Sequence, residues 1–147
     1  MASSKQLRDR AVDRFWETVP PLWNTVRSHI RGAATAKFDI TVEQFHILRF
    51  VRKGSESLSE LAKAKNISRP AMSQAVEVLV KKGLLTRIQS TQDRRYVELA
   101  LTEAGSHLLD TVFHDTREWM KERMQGLTSA EVETIAKAME AMKKMLE

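Results

Sequence analysis

The chain has 147 residues, 42% of them apolar and 29% charged, which suits one soluble domain with a real hydrophobic core. Lys and Arg number 24 against 19 Asp and Glu, and the net charge of +5 favours a polyanionic partner, nucleic acid or an anionic membrane surface, although solubility alone also accounts for it. The absence of cysteine excludes disulfides, thiolate metal sites and thiol redox sensing, while no apolar run nears the roughly 20 residues of a membrane span and the first residues lack the apolar core of a signal peptide, so a cytoplasmic protein without a membrane partner is expected.

In chain order, Leu7, Ala11, Phe15, Thr18, Leu22, Val26 and Ile30 recur at spacings of three and four and predict one long helix from about Lys5 to Arg31. Pro20-Pro21 inside it predicts a kink or a break, and Gly32 a C-cap. Thr41 and Gln44 form a capping box that starts a second helix with Phe45, Ile47, Leu48 and Val51 inward, closed by Lys53-Gly54. Ser57 and Glu60 form another, opening a short helix that buries Leu58, Leu61 and Ala62 and stops at Asn66. Ser68 caps a fourth helix with Pro70 in its first turn, running to Lys82 and ended by Gly83. Leu84 to Gln89 and Tyr96 to Leu101, separated by the polar run Ser-Thr-Gln-Asp-Arg-Arg, predict a β-hairpin with a charged tip. Thr102 and Glu103 begin a long helix to about Arg123, Gly126 breaks it, and Thr128 with Glu131 caps a last helix. That last helix carries Val132, Ile135, Ala136, Met139, Met142 and Leu146 on one face. The order is α-α-α-α-β-β-α-α: mainly α with a small β-hairpin wing.

Two short helices joined by the tight turn Lys65-Asn66-Ile67 and followed by a hairpin make a winged helix-turn-helix. On the second of these helices Met72, Ala75, Val76 and Leu79 should face the core. The opposite face shows Ser68, Arg69, Pro70, Ser73, Gln74 and Glu77. Ser, Arg and Gln side chains hydrogen-bond base edges and phosphates, and the helix N-terminus suits a phosphate oxygen; the same face also reads as an ordinary solvated one. The hairpin tip Gln92-Asp93-Arg94-Arg95 places adjacent guanidiniums on a projecting turn, fit for a narrow minor groove. Asp93 makes sense there if its carboxylate fixes one Arg rotamer by a bidentate pair. Arg87 adds a further cation on the same side.

From Ser57 to Gly105 the chain resembles the MarR family of bacterial regulators. The matching residues are Ser57-Leu58-Ser59-Glu60-Leu61-Ala62, Ser68 with Val76 and Leu79, Lys81-Lys82-Gly83-Leu84-Leu85-Thr86-Arg87, Asp93-Arg94-Arg95, and Val97 to Gly105. The wing sequence followed by Leu-Thr-x-x-Gly is the most specific part. The resemblance implies a single MarR-like domain over 1–147, with 1–35 and 105–147 as the helical dimerisation region and 40–104 as the DNA-binding lobe. It implies a sequence-specific regulator, a repressor by expectation, acting as a homodimer on a pseudo-palindromic double-stranded operator. The dimer contacts would then fall on Phe15, Leu22, Ile135, Met139, Met142 and Leu146, and the seven Met residues of the chain suit a pliable helical interface.

Family members respond to small aromatic or phenolic effectors held between scaffold and winged lobe. The corresponding candidates are Trp16, Trp23, His29, Phe45, His46 and Arg49, which read equally well as core with polar tips. His107, His114, Asp115 and Glu118 are the candidate metal ligands, His114 and Glu118 sharing a helix face, but without a ligand motif no metal or other cofactor is expected. No phosphate loop, His-Glu-x-x-His or nucleophile motif is present, so no enzyme is expected. The rival from another class is a winged-helix module that binds protein and never reads DNA, which leaves Arg87, Arg94 and Arg95 without a task.

Overall fold

The computed structural model describes residues 3–54, 57–95 and 97–147. Its elements run α1 (Ser4–Phe38), α2 (Val42–Arg52), α3 (Leu58–Lys65), α4 (Arg69–Lys81), β1 (Leu85–Gln89), β2 (Val97–Leu101), α5 (Glu103–Arg123) and α6 (Ser129–Lys143). The expected order and the winged-helix class are both found. Tyr96, placed at the start of the second strand from sequence, lies outside the described residues.

Local chemistry explains most boundaries. Thr41 and Gln44 exchange both bonds of the capping box, at 3.1 and 3.0 Å. Thr128 and Glu131 do the same for α6. At Ser57 only half of the box forms: its hydroxyl accepts from the Glu60 N–H, and the reciprocal bond is absent. Helix α3 ends with Asn66 in the left-handed region (φ 52°), where the Ile67 N–H reaches the Ala62 carbonyl. Helix α4 closes the same way through Gly83, with Leu84 donating to Leu79.

Helix α1 is the long helix expected, but it does not break at the prolines and is not capped at Gly32. It is one 35-residue helix that passes through Pro20, Pro21 and Gly32 and ends at Asp39 in the left-handed conformation (φ 52°). Proline's fixed φ is itself helical, and its missing N–H removes bonds without forcing the chain out of helix when the turns on both sides persist. Leu146 is a second departure. Helix α6 stops at Lys143, and the Met145 and Leu146 N–H groups bond three residues back, so Leu146 lies beyond the helix.

The described residues form two compact units, one ending at Phe113 and the other His114–Glu147. In the first, α2 packs against α1, α4 and β2. Phe45, Leu48, Leu61, Met72, Leu79, Leu85, Leu99, Leu108 and Leu109 are fully buried there. Burying each such side chain contributes roughly 1.5–3 kcal/mol. Arg52 ties the end of α2 to α5, donating to the Asp110 carboxylate at 2.8 Å and the Ser106 carbonyl at 3.0 Å. In the second unit α6 buries none of its side chains.

The hairpin pairs antiparallel with Leu85 opposite Leu101 and Arg87 opposite Leu99. Ser57 adds a bridge to Glu98 on the free side of β2, so the loop before α3 is stitched to the wing.

Candidate nucleic-acid interface

Helix α4 turns Met72, Val76 and Leu79 into the core, which sends Ser68, Arg69, Pro70 and Gln74 into solvent and leaves Ser73 and Glu77 half-buried at the margin. The Ser68 hydroxyl accepts from the Ala71 N–H at 3.3 Å. No acidic residue stands in the first turn of α4, unlike α2, α3 and α6, so its positive dipole end is left uncompensated.

The wing tip is built on Ser90. This side chain is buried, and its hydroxyl accepts from the Gln92 and Asp93 N–H groups at 3.3 and 3.4 Å. Gln89 donates from its amide to the Arg94 carbonyl at 3.1 Å. Asp93 then takes Arg95 as its partner: the Arg95 Nη2 lies 2.9 Å from Oδ2, its Nε 3.1 Å from Oδ1, and its backbone N–H 3.0 Å from Oδ1. These bonds hold the Asp93 carboxyl below its ordinary range and raise the Arg95 guanidinium further. Arg94 is left exposed at the tip, and no carboxylate among the described residues pairs with it.

Arg87 is engaged differently. Its Nη1 lies 2.6 Å from the Glu77 Oε2, an ion pair that joins β1 to α4. A cleft of about 470 Å³ opens at this junction, walled by Ser57, Leu58 and Ser59, by Arg69, Ser73 and Glu77, and by Arg87, Arg95, Val97 and Leu99. Of the residues predicted from sequence, Arg69, Ser73, Glu77, Arg87 and Arg95 line this cleft, and Ser68, Pro70, Gln74, Asp93 and Arg94 do not. Ser57, Ser59 and Ser90 stand outside the expected site residues: Ser57 reads as a helix cap, Ser57 and Ser59 lie in the family-like run Ser57 to Ala62, and Ser90 opens the polar turn.

The MarR family model matches residues 40–97. The HTH-type transcriptional regulator YpoP of Bacillus subtilis is 30% identical over 98 residues, which cover 66% of this chain and 70% of YpoP. The chain belongs to the MarR family. Among solved structures, the transcriptional regulator Tm0710 from Thermotoga maritima superposes with a TM-score of 0.79 at 21% identity, over 91% of this chain and 94% of that one. FabT of Streptococcus pneumoniae, solved in complex with DNA, gives 0.72 at 20% identity, over 92% and 96%. Both share the fold. This is therefore a MarR-family transcriptional regulator, and its most specific motif has a structural cause. In Leu-Thr-x-x-Gly, the Thr102 hydroxyl donates to the Gly83 carbonyl at 2.6 Å and accepts from the Gly105 N–H at 3.0 Å. Gly105 packs so close to the Leu84 carbonyl that a side chain there would overlap it.

The effector candidates separate. Phe45 is fully buried, with its ring 5.8 Å from Phe113 and 6.0 Å from His46. Arg49 lies over the Phe113 ring at 5.2 Å. Trp16 and Trp23 are exposed along α1, and His29 is half-buried. Burial, then the charges of Lys65, Arg49 and Arg27, lower the His46 pKa, opposed by Glu43. Lys65 is lowered first by burial as well, with its ammonium 5.2 Å from the Phe50 ring. Of the metal candidates, Glu118 is held by Lys121 at 2.6 Å. Among the described residues no group of three His, Asp or Glu is arranged to hold a metal ion, and no helix is long and apolar enough to cross a membrane.

Proposed function

We propose that this MarR-family regulator represses transcription by binding a pseudo-palindromic operator as a homodimer, one winged lobe to each half-site. The observation that carries the proposal is the division of labour at the wing tip. Asp93 and Arg95 lock each other, and Arg94 projects with no carboxylate partner among the described residues. A cation held out on a braced turn suits insertion into a minor groove. The adjoining face of α4, with Ser68, Arg69, Ser73 and Gln74, suits the major groove. FabT, which shares the fold, is seen with DNA. Support for the homodimer comes from apolar surface that the single chain leaves open: Leu22 and Trp16 on α1, and Ile135 and Met139 on α6. Phe15 and Met142 are half-buried, and Leu146 is exposed. We assign the scaffold to 1–35 and 105–147 and the DNA-binding lobe to 40–104.

Release by a small aromatic acid or phenolate is part of the proposal. Its support is the group of Lys65, Arg49 and Arg27, whose charges, after burial, disfavour protonation of His46 and would be offset by a carboxylate.

The test is fluorescence anisotropy of the protein against the DNA upstream of its own coding sequence and a scrambled duplex, at two salt concentrations. Preference for the upstream DNA that survives the higher salt, and its loss in Arg94→Ala with helicity unchanged, is the expected result. Unchanged affinity in Arg94→Ala would remove the wing from the interface. No binding of any duplex at low salt would favour a protein-binding module.

A further inference from the structure

Glu77 is out of place. A carboxylate on the face of α4 that meets a polyanion repels phosphate, and the cleft it lines also contains Arg69, Arg87 and Arg95. Arg95 is already held by Asp93, and Arg87 is held by Glu77 at 2.6 Å. Arg69 and Arg94 are exposed, and no carboxylate among the described residues pairs with either. The arginines of this surface therefore fall into two kinds: two pinned by an acid on the protein, and two open to the partner.

We infer that Glu77 is a positioning residue that sets binding specificity by neutralising Arg87 and fixing the wing to the recognition helix. The inference rests on the DNA-binding proposal above. The pair spans two elements that must enter adjacent grooves at a fixed separation. It bridges α4 to the first wing strand, directly beside Leu99, whose side chain is buried and anchors β2. Both side chains are more than a third exposed, so solvent screens the pair and its role is geometric: the 2.6 Å contact sets where the Arg87 guanidinium rests. Two consequences follow. Arg87 makes no contribution to sequence-independent attraction while Glu77 holds it. The spacing between α4 and the wing is fixed before DNA arrives, so a duplex of the wrong shape is not accommodated by the wing swinging aside.

The experiment compares wild type, Glu77→Gln, Arg87→Gln and the double variant. Each is titrated at four salt concentrations against a random-sequence 30-base-pair duplex and against a duplex recovered from a random library by selection on the wild type. Circular dichroism confirms the fold of each variant. The freed Arg87 in Glu77→Gln should tighten binding to the random duplex several-fold. It should also steepen the slope of log K against log salt by roughly 0.9, the value for one added phosphate contact. Its preference for the selected duplex over the random one should fall about tenfold. The double variant should return to the wild-type slope without regaining the preference, and Glu77→Arg with Arg87→Glu, which restores the pair reversed, should regain part of it. Slope and preference both unchanged in Glu77→Gln would overturn the inference and leave DNA binding standing. If the wild type binds neither duplex, the DNA-binding proposal fails and the inference with it.

Discussion

Gly105 sits directly beneath the Leu84 carbonyl, so that the first turn of α5 and the turn that ends α4 touch backbone to backbone. The contact is reinforced by Thr102, which bonds to the Gly83 carbonyl and to the Gly105 N–H, and whose own N–H donates to Leu84 at 3.2 Å. The recognition helix therefore ends against the helix that leaves the lobe, with no side chain between them.

Gly105→Ala is the sharpest test of that contact. In an open helix the change would stabilise by roughly 0.5–1 kcal/mol. Here the new methyl meets a backbone carbonyl, and a net loss of about 1–3 kcal/mol is expected, as for overpacking. Urea denaturation measures it, and a gain in stability would show that the turn yields.

Asp93→Asn separates bracing from bulk charge. The variant carries one more net positive charge, so simple attraction predicts tighter DNA binding. Bracing of Arg95 predicts binding weaker by several-fold, because the bidentate pair is lost. Anisotropy against the selected duplex decides between them. The Asp93 carboxyl is depressed below its ordinary value, so what the pair contributes is present above that value and lost only as pH falls through the lowered one. DNA affinity should accordingly show no Asp93 titration between pH 5 and 8.

His46 sets an acid limit on stability. Its pKa is lowered by burial and by Lys65, Arg49 and Arg27, so the unfolded chain takes up a proton more readily than the folded one. Stability should be full above the ordinary value of 6.5 and decline below it until the lowered folded value is passed. The urea midpoint should fall between pH 7.5 and 5.5, and His46→Gln should reduce the fall. An equal fall in both proteins would put the acid sensitivity elsewhere.

Met139→Glu tests the proposed use of α6. Met139 is exposed on a helix that buries no side chain of its own. A carboxylate placed there is expected to weaken self-association about 100-fold or more, since an unpaired charge in an interface is strongly unfavourable. Light scattering coupled to size exclusion at micromolar concentration reads it. A mass unchanged from wild type would take this face of α6 out of the interface.

Much of this molecule is legible in the sequence because its boundaries are set by near neighbours. Thr41-Gln44, Ser68 with Pro70, Asn66, Gly83 and Thr128-Glu131 each act within a few residues, and each stands where the spacing puts it. What could not be read depends on distance in the chain. That Arg87 pairs with Glu77, ten residues earlier on another element, follows from how the hairpin folds back on α4. That Asp93 chooses Arg95 over Arg94 depends on the turn Ser90 imposes. At Pro20-Pro21 local preference left a kink and a break both open, and the turns on either side decide that the chain stays helical.

The proline pair has a mechanical consequence. With no N–H at positions 20 and 21, the carbonyls of Trp16 and Glu17 have no donor four residues ahead, and two successive rungs of the helical ladder are missing. Bending stiffness along α1 is lowest at that gap. The segment before it can swivel against the segment carrying Val26, Ile30 and Ala34, which is buried in the lobe. In the homodimer proposed above, such a joint would let each lobe adjust its reach to the pitch of the duplex. Hydrogen exchange should find it as a local maximum in the middle of an otherwise protected helix.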